Sequence, residues 1–191
     1  MTESGRRRRW LLFAGIAIGV LVVDQLTKFW VDANFDLASP GAAPGVGNQP
    51  TEIIGTLVRI AKSYNDGGIF GIFGSSAPVL ALASLAVMAM IVWYESREGM
   101  RGHWLLTVAL GLLLGGALGN FADRARIGHV IDWIDMGIGN IRWYTFNVAD
   151  AAISISIVLF IGLALFGSRL APAGSKDSKE VAAPASAEAP Q

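Results

Sequence analysis

The chain has no cysteine. That removes disulfides, thiol nucleophiles and Cys-based metal sites, and says little about the redox compartment. Its only histidines are His103 and His129. They fall on different loops with no ligand spacing between them, which argues against a His-based zinc site. Charge is scarce as well. Only 16% of the 191 residues are charged, where a soluble domain carries about a quarter. Basic and acidic residues balance at 15 each, so net charge suggests neither a nucleic acid nor an acidic partner. What is abundant is apolar: 53% of residues are hydrophobic and the mean hydropathy is +0.50. Deficit and excess together indicate a membrane protein.

After Arg6-Arg7-Arg8-Arg9 an apolar run extends from Trp10 to Trp30. A basic start before an apolar stretch also marks a secretory signal peptide. Three features oppose that reading. The run has the ~20 residues that span a bilayer, it shows no small-residue cleavage site, and more spans follow. These are expected at 78–94, 104–121 and 146–166. Gly15 and Gly19 in the first span would allow close packing of a neighbouring helix. Gly111, Gly115 and Gly119 form a seam in the third that would bring another helix near Asn120 and Asp123.

Residues 31–76 and 124–145 are expected outside the membrane, and residues 1–168 form one integral membrane domain. Residues 169–191 read as a disordered tail rich in Ala, Pro and Ser. Thr56 to Tyr64 suggests a strand, although Lys62 breaks its alternation. Asn65-Asp66-Gly67-Gly68 is a strong turn signal, because these residues tolerate positive φ. It is either a plain hairpin turn or a flexible lip whose Asn65 hydrogen-bonds substrate. The Gly/Pro-rich loop Ala38–Pro50 carries no chemistry. Trp133 and Trp143 suit an interfacial belt. Nine Lys and Arg residues lie in the amino terminus, the 95–103 loop and the tail, against five in the two longer loops. Both termini are therefore expected to be cytoplasmic.

The polar residues that remain gather between Gly111 and Asp150. Asn-x-Ala-Asp occurs twice, at Asn120–Asp123 and Asn147–Asp150, with Asp132 and Asp135 between. Carboxylates at a membrane edge are expensive and point to function. Each also has a plainer explanation. Asn147 with Asp150 resembles a capping box opening the fourth helix. Asn120 could cap the end of the third, with Asp123 a partner for Arg124 or Arg126, and Asp132 and Asp135 could be loop solvation. In the first span Asp24 and Lys28, at i and i+4, can pair on one helix face. No serine is placed for a Ser/His or Ser/Lys arrangement, and Asp24 would hold Lys28 charged. Carboxylates are left: two aspartates sharing one proton can hydrolyse a peptide bond without a covalent intermediate.

Five blocks occur in one order: Asp24-x-x-Thr27-Lys28; Asn65-x-Gly67-x-x-Phe70; Gly115-Gly116-x-Leu118-Gly119-Asn120-x-x-Asp123-Arg124; Val130-x-Asp132; and Phe146-Asn147-x-Ala149-Asp150. As an ordered set they resemble the bacterial lipoprotein signal peptidase family, signal peptidase II. The resemblance implies an all-α membrane fold: a four-transmembrane-helix bundle with a small extracytoplasmic β-cradle between helices 1 and 2. It implies an aspartyl endopeptidase of the inner membrane, without metal or cofactor, that cleaves diacylglyceryl-modified prolipoproteins just before the lipidated cysteine. Asp132 and Asp150 take the family's catalytic positions. Asp24, Lys28, Asn65, Gly67, Phe70, Asn120, Asp123, Arg124, Asn147 and Ala149 take those that bind substrate or support the site. Membrane lipid and the precursor are the implied partners, and a monomer is expected. Gly68-Ile69 departs from the small residues usual in that turn and leaves the lip's shape open.

Two other functions compete. A magnesium-dependent lipid phosphotransferase would gather Asp123, Asp132, Asp135 and Asp150 around the ion. A small proton-coupled transporter would use Asp24 and Lys28 and line a path through several spans, yet the second span has no polar lining. A non-enzymatic scaffold leaves the carboxylates unexplained.

Overall fold

A computed structural model describes residues 2–38, 49–67, 77–99 and 103–170. Among them are four helices long and apolar enough to cross a membrane. These are α1 (Glu3–Asn34), α2 (Ala77–Tyr94), α3 (Trp104–Ile127) and α4 (Val148–Leu170). At 1.5 Å per residue, the 32 residues of α1 reach about 48 Å, beyond the ~30 Å hydrocarbon layer. The helix is therefore longer than a bilayer span requires, and its arginines fall in its first turns. Glu95, expected in a loop, instead opens a π-helical turn (Glu95–Gly99) that continues α2. It is fully buried and accepts a hydrogen bond from Thr107 of α3.

The third helix is the hub. It packs against α1, α2 and α4, and 44% of its apolar window is buried, against 17% in each of the others. The glycine seam makes this possible. Gly111 and Gly115 admit Phe13, Ile16, Ala17 and Val20 of α1, while Gly116 admits Ala149 and Ile153 of α4. Phe13, Ala17, Met88, Ile91, Leu110 and Leu114 close the core. Gly15 and Gly19 behave otherwise: nothing lies within 4 Å of where their β-carbons would be, so no described helix packs there. The expectation of a neighbour on that face is not met.

Between the spans lies an antiparallel sheet, β1 (Thr51–Ile54), β2 (Val58–Asn65), β3 (Val130–Ile138) and β4 (Ile141–Arg142), in that order. Half of it follows α3, so it is not built between helices 1 and 2 alone. The third span likewise runs on past Phe121 to Ile127, where Gly128 closes it in the left-handed conformation at φ 81°. The polar turns at its end read as loop in the sequence because they carry no apolar stripe. Asn120 is consequently inside a helix, not a cap. Asp132 and Asp135 are buried on β3 rather than solvating a loop.

The strands bring distant residues into line. Arg59 pairs across the sheet with Asp135, Ser63 with Asp132 and Asn65 with Val130. Asn65 is thus a diagonal neighbour of Asp132, within reach of its side chain. Asp135 is gripped from two sides. Arg59 donates to its Oδ2 at 2.6 and 2.8 Å, and Arg142 to its Oδ1 at 2.9 Å and its carbonyl at 3.0 Å. Arg142 also donates to the carbonyl of Thr56, which ties β4 to the turn between β1 and β2.

Candidate active site

Five segments converge where the sheet meets the bundle. The first helix brings Asp24 and Lys28, the third Asn120, Asp123 and Arg124, the end of β2 Asn65, β3 Asp132, and the head of α4 Asn147, Ala149 and Asp150. Asn120, Asp123 and Arg124 share a face of α3 through their i, i+3 and i+4 spacing.

Asn147 is both a cap and a bridge. Its Oδ1 accepts from the backbone N–H of Asp150 at 3.0 Å, and Oδ2 of Asp150 accepts from the backbone N–H of Asn147 at 3.3 Å. That is the reciprocal capping box at the start of α4. The same residue donates its side-chain amide to Oδ1 of Asp132 at 2.7 Å. Asn65 donates to Oδ2 of Asp132 at 3.0 Å while accepting from the N–H of Gly67 at 2.9 Å. Asn120 donates to Oδ1 of Asp150 at 2.7 Å and accepts from Asn147 at 3.2 Å and from Lys28 at 3.1 Å. Structural cap and candidate chemistry therefore coincide at Asn147.

Beneath this array, Lys28 lies 2.8 Å from Asp24 and 2.9 Å from Asp123, all three fully buried. Asp24 accepts the backbone N–H of Ala149 at 2.9 Å, and Asp123 accepts that of Ile131 at 3.2 Å. Each clamped residue immediately precedes a candidate catalytic aspartate. The expected Asp24–Lys28 pair is present, and the main partner of Asp123 is Lys28; Arg126 stands off at 3.7 Å.

The two aspartates differ in setting. Asp132 is 1% exposed. Burial pushes its carboxyl up to about 6, and the charge of Asp150 adds to the rise, against lowering by the amides of Asn65 and Asn147. Asp150 is half-buried. It lines a cleft of about 600 Å³ together with Asn65, Tyr144, Phe146, Ser154 and Ile155. A second cavity of about 580 Å³, walled by Met136, Ile138, Ile141, Trp143 and Phe146, shares Trp143 and Phe146 with the first. Arg124 reaches the carbonyl of Asn120 at 3.5 Å, and its buried Nε has no partner among the described residues.

Not every expected residue joins the site. Phe70, Gly68 and Ile69 lie outside the described residues, as do most of the Ala38–Pro50 loop and the tail. Asp135 is held away by its arginines and Asp123 is engaged by Lys28. The four carboxylates of the magnesium reading thus do not converge, and no group of three or more candidate ligands forms among the described residues. Asp24 and Lys28 are consumed by fixed partners, contrary to a transport path. Trp133 is no belt residue at its indole nitrogen, which is buried, whereas Trp143 is exposed. One residue was missed. Gln25 is a polar side chain inside an apolar span, a weaker signal than Asp24 because it is uncharged, and it enters the Lys28 cluster.

Comparison with known proteins decides the family. A family model described as Signal peptidase (SPase) II matches residues 16–166. The chain belongs to the signal peptidase II family. The lipoprotein signal peptidase of Bacillus subtilis (strain 168) is 35% identical over 170 residues, covering 89% of this chain and all of the relative. That of Pseudomonas fluorescens (strain Pf0-1) is 36% identical over 169 residues, covering 85% of this chain and 90% of the relative. Two solved bacterial membrane enzymes share the fold. One, at 28% identity, has a TM-score of 0.67 and covers 78% of this chain and 89% of its own. The other, at 26%, has a TM-score of 0.68 and covers 84% and 92%. As a member of the signal peptidase II family with four apolar helices, the chain is a multi-pass membrane peptidase.

Proposed function

We propose that the chain removes signal peptides from diacylglyceryl-modified prolipoproteins, cutting just before the lipidated cysteine, with Asp132 and Asp150 as the catalytic pair. The observation that carries this reading is Asn147, whose side chain binds one carboxylate and whose backbone binds the other. It ties the two acids together at a cleft. Asp132, buried, holds the shared proton. Asp150, facing the cleft, takes a proton from water as the water oxygen bonds to the scissile carbonyl carbon. Asp132 gives its proton to the carbonyl oxygen. In the second step Asp150 protonates the leaving amine, Asp132 recovers a proton from the gem-diol, and the C–N bond breaks. The pair returns with one proton, as coupled carboxylates require.

The remaining site residues take supporting parts. Asn65, Asn120 and Asn147 hold the carboxylates, and Arg124, with free hydrogen-bonding capacity, contacts substrate. Gly67, whose N–H is held by Asn65 beside the cleft, helps to seat the substrate. The apolar cavity walled by Ile138, Ile141 and Trp143 suits acyl chains entering from the bilayer. Both termini are cytoplasmic in the inner membrane and the site faces outward. Residues 171–191, beyond α4, are cytoplasmic and take no part in the chemistry. One chain supplies the whole constellation, so a monomer suffices. The test is purified protein with a diacylglyceryl-modified precursor, with and without chelator. Cleavage should survive chelation, and Asp132→Asn and Asp150→Asn should each abolish it while leaving the protein folded. Near-native processing by either variant refutes the pair.

A further inference from the structure

We infer that Gln25 is a positioning residue for the peptidase reaction, locking the two carboxylates that clamp the backbone just before Asp132 and Asp150. The inference rests on the catalytic pair proposed above.

Gln25 lies on α1, one residue after Asp24. Its Nε2 is 3.0 Å from Oδ1 of Asp123, 3.2 Å from Oδ2 of Asp24 and 3.2 Å from the carbonyl of Gly119. Three acceptors surround this end, so it is the NH2. An amide nitrogen has two hydrogens to give, and here they are shared among three acceptors on two helices.

The placement matters because of what those carboxylates do with their other contacts. Asp24 uses Oδ1 to hold the N–H of Ala149. Asp123 uses Oδ2 to hold the N–H of Ile131. Lys28 sits on Oδ2 of both. Two carboxylates around one ammonium repel each other, and each can rotate about its terminal torsion. Gln25 opposes both tendencies. It supplies a second donor that bridges the acids and fixes which oxygen of Asp123 points away from Ile131. Two further cations face this group: Arg126, half-exposed and 3.7 Å from the same Oδ1 of Asp123, and Arg124, whose charge acts on Asp123 without a direct contact; both are weaker holds. Lys28 cannot replace the amide, because it is already committed to Asp24, Asp123 and Asn120.

Freed from Gln25, the clamps at Ala149 and Ile131 would drift independently, and with them the spacing of the pair that shares the proton. The step that suffers is turnover, not substrate capture, because Gln25 is absent from the cleft lining. Gln25→Met keeps length and removes the donors. It should fold, hold KM for the diacylglyceryl precursor within about twofold, and lower kcat by about 10- to 100-fold, the scale of loss from a sub-ångström to ångström misplacement. Gln25→Glu keeps shape but donates only when protonated, so its activity should recover as pH falls and its profile should move to the acid side.

The inference is overturned if Gln25→Met keeps kcat within about twofold of the parent, or if it loses kcat and KM in parallel with an unmoved pH profile, the mark of general structural damage. If Gln25→Met does not fold, an unmoved pH profile in Gln25→Glu overturns it equally. Normal turnover in both Gln25 variants beside inactive Asp132→Asn and Asp150→Asn removes this inference alone. Active aspartate variants remove the pair on which it rests.

Discussion

Gly119 lies so close to Asp24 that a β-carbon there would stand 2.5 Å from its Oδ2. The same β-carbon would meet that of Ala149 at 3.1 Å. Asp24 cannot step aside, because Lys28, Gln25 and the N–H of Ala149 all hold it. Gly119→Ala is therefore expected to cost about 1–3 kcal/mol by overpacking, more than the ~1 kcal/mol gained from helix propensity. It should also lower kcat by displacing Ala149 and Asp150. Gly15→Ala is the control: with open space around it, it should be neutral or stabilising by up to about 1 kcal/mol. Thermal unfolding in detergent and precursor cleavage measure both.

Asn147 allows its two roles to be separated. Ser is as good an N-cap as Asn, and loss of the cap costs about 0.5–2 kcal/mol. Asn147→Ser should keep α4 stable yet remove the amide that donates to Asp132. Asn147→Ala should lose both. Both variants should lose cleavage, but only Asn147→Ala should show the lower melting temperature. A Ser variant that cleaves normally would mean that the bridge is dispensable.

Asp135 is predicted to act on the sheet and not on the chemistry. Its carboxylate joins Arg59 and Arg142, both largely buried. Removing one partner of a buried pair strands the others, at about 3–5 kcal/mol when burial is complete and less here. Asp135→Ala should loosen β3 and β4 and raise KM, because Arg142 leads directly into the cleft residues Trp143 to Phe146. Limited proteolysis should find new cuts near residues 136–142 while the helices stay protected. An Asp135→Ala protein with unchanged KM and proteolysis pattern would contradict this.

These residues also mark what is legible in the sequence alone. Asp24, Lys28, Asp123, Asp132 and Asp150 stand out because a carboxylate or ammonium in an apolar chain needs a reason. The capping box is visible for the same local cause, a side chain bonding three residues away. The partners of Asp135 are not visible: Arg59 is 76 positions distant, and only the strand register joins them. The extension of α3 to Ile127 was hidden by its polar last turns, and β3 by its burial, which does not alternate. Glycine spacing was ambiguous, since Gly111 and Gly115 are packed against α1 whereas Gly15 and Gly19 meet nothing. Gln25 was passed over because a neutral amide gives no charge signal.

The raised carboxyl of Asp132 should add a pH dependence to both activity and stability. Its ordinary value of 3.8 moves to about 6 in the fold. A carboxyl raised on folding binds its proton more tightly in the native state. The associated stability is fully present below about pH 4 and is lost as pH rises through about 6. At one pH unit per 1.36 kcal/mol, the loss amounts to roughly 3 kcal/mol. Asp132→Asn has no such proton. Its stability relative to the parent should therefore improve by roughly 3 kcal/mol between about pH 4 and pH 8, a site-imposed cost relieved by an inactivating change. In the active protein kcat/KM should fall once the shared proton leaves, with an alkaline limb beginning near pH 6 in the free enzyme. Asn147→Ser removes a hydrogen bond that lowers this value, so any residual activity in that variant should persist to higher pH. Melting curves across this range for parent and Asp132→Asn decide the matter. Parallel curves would mean that Asp132 is not the proton's holder.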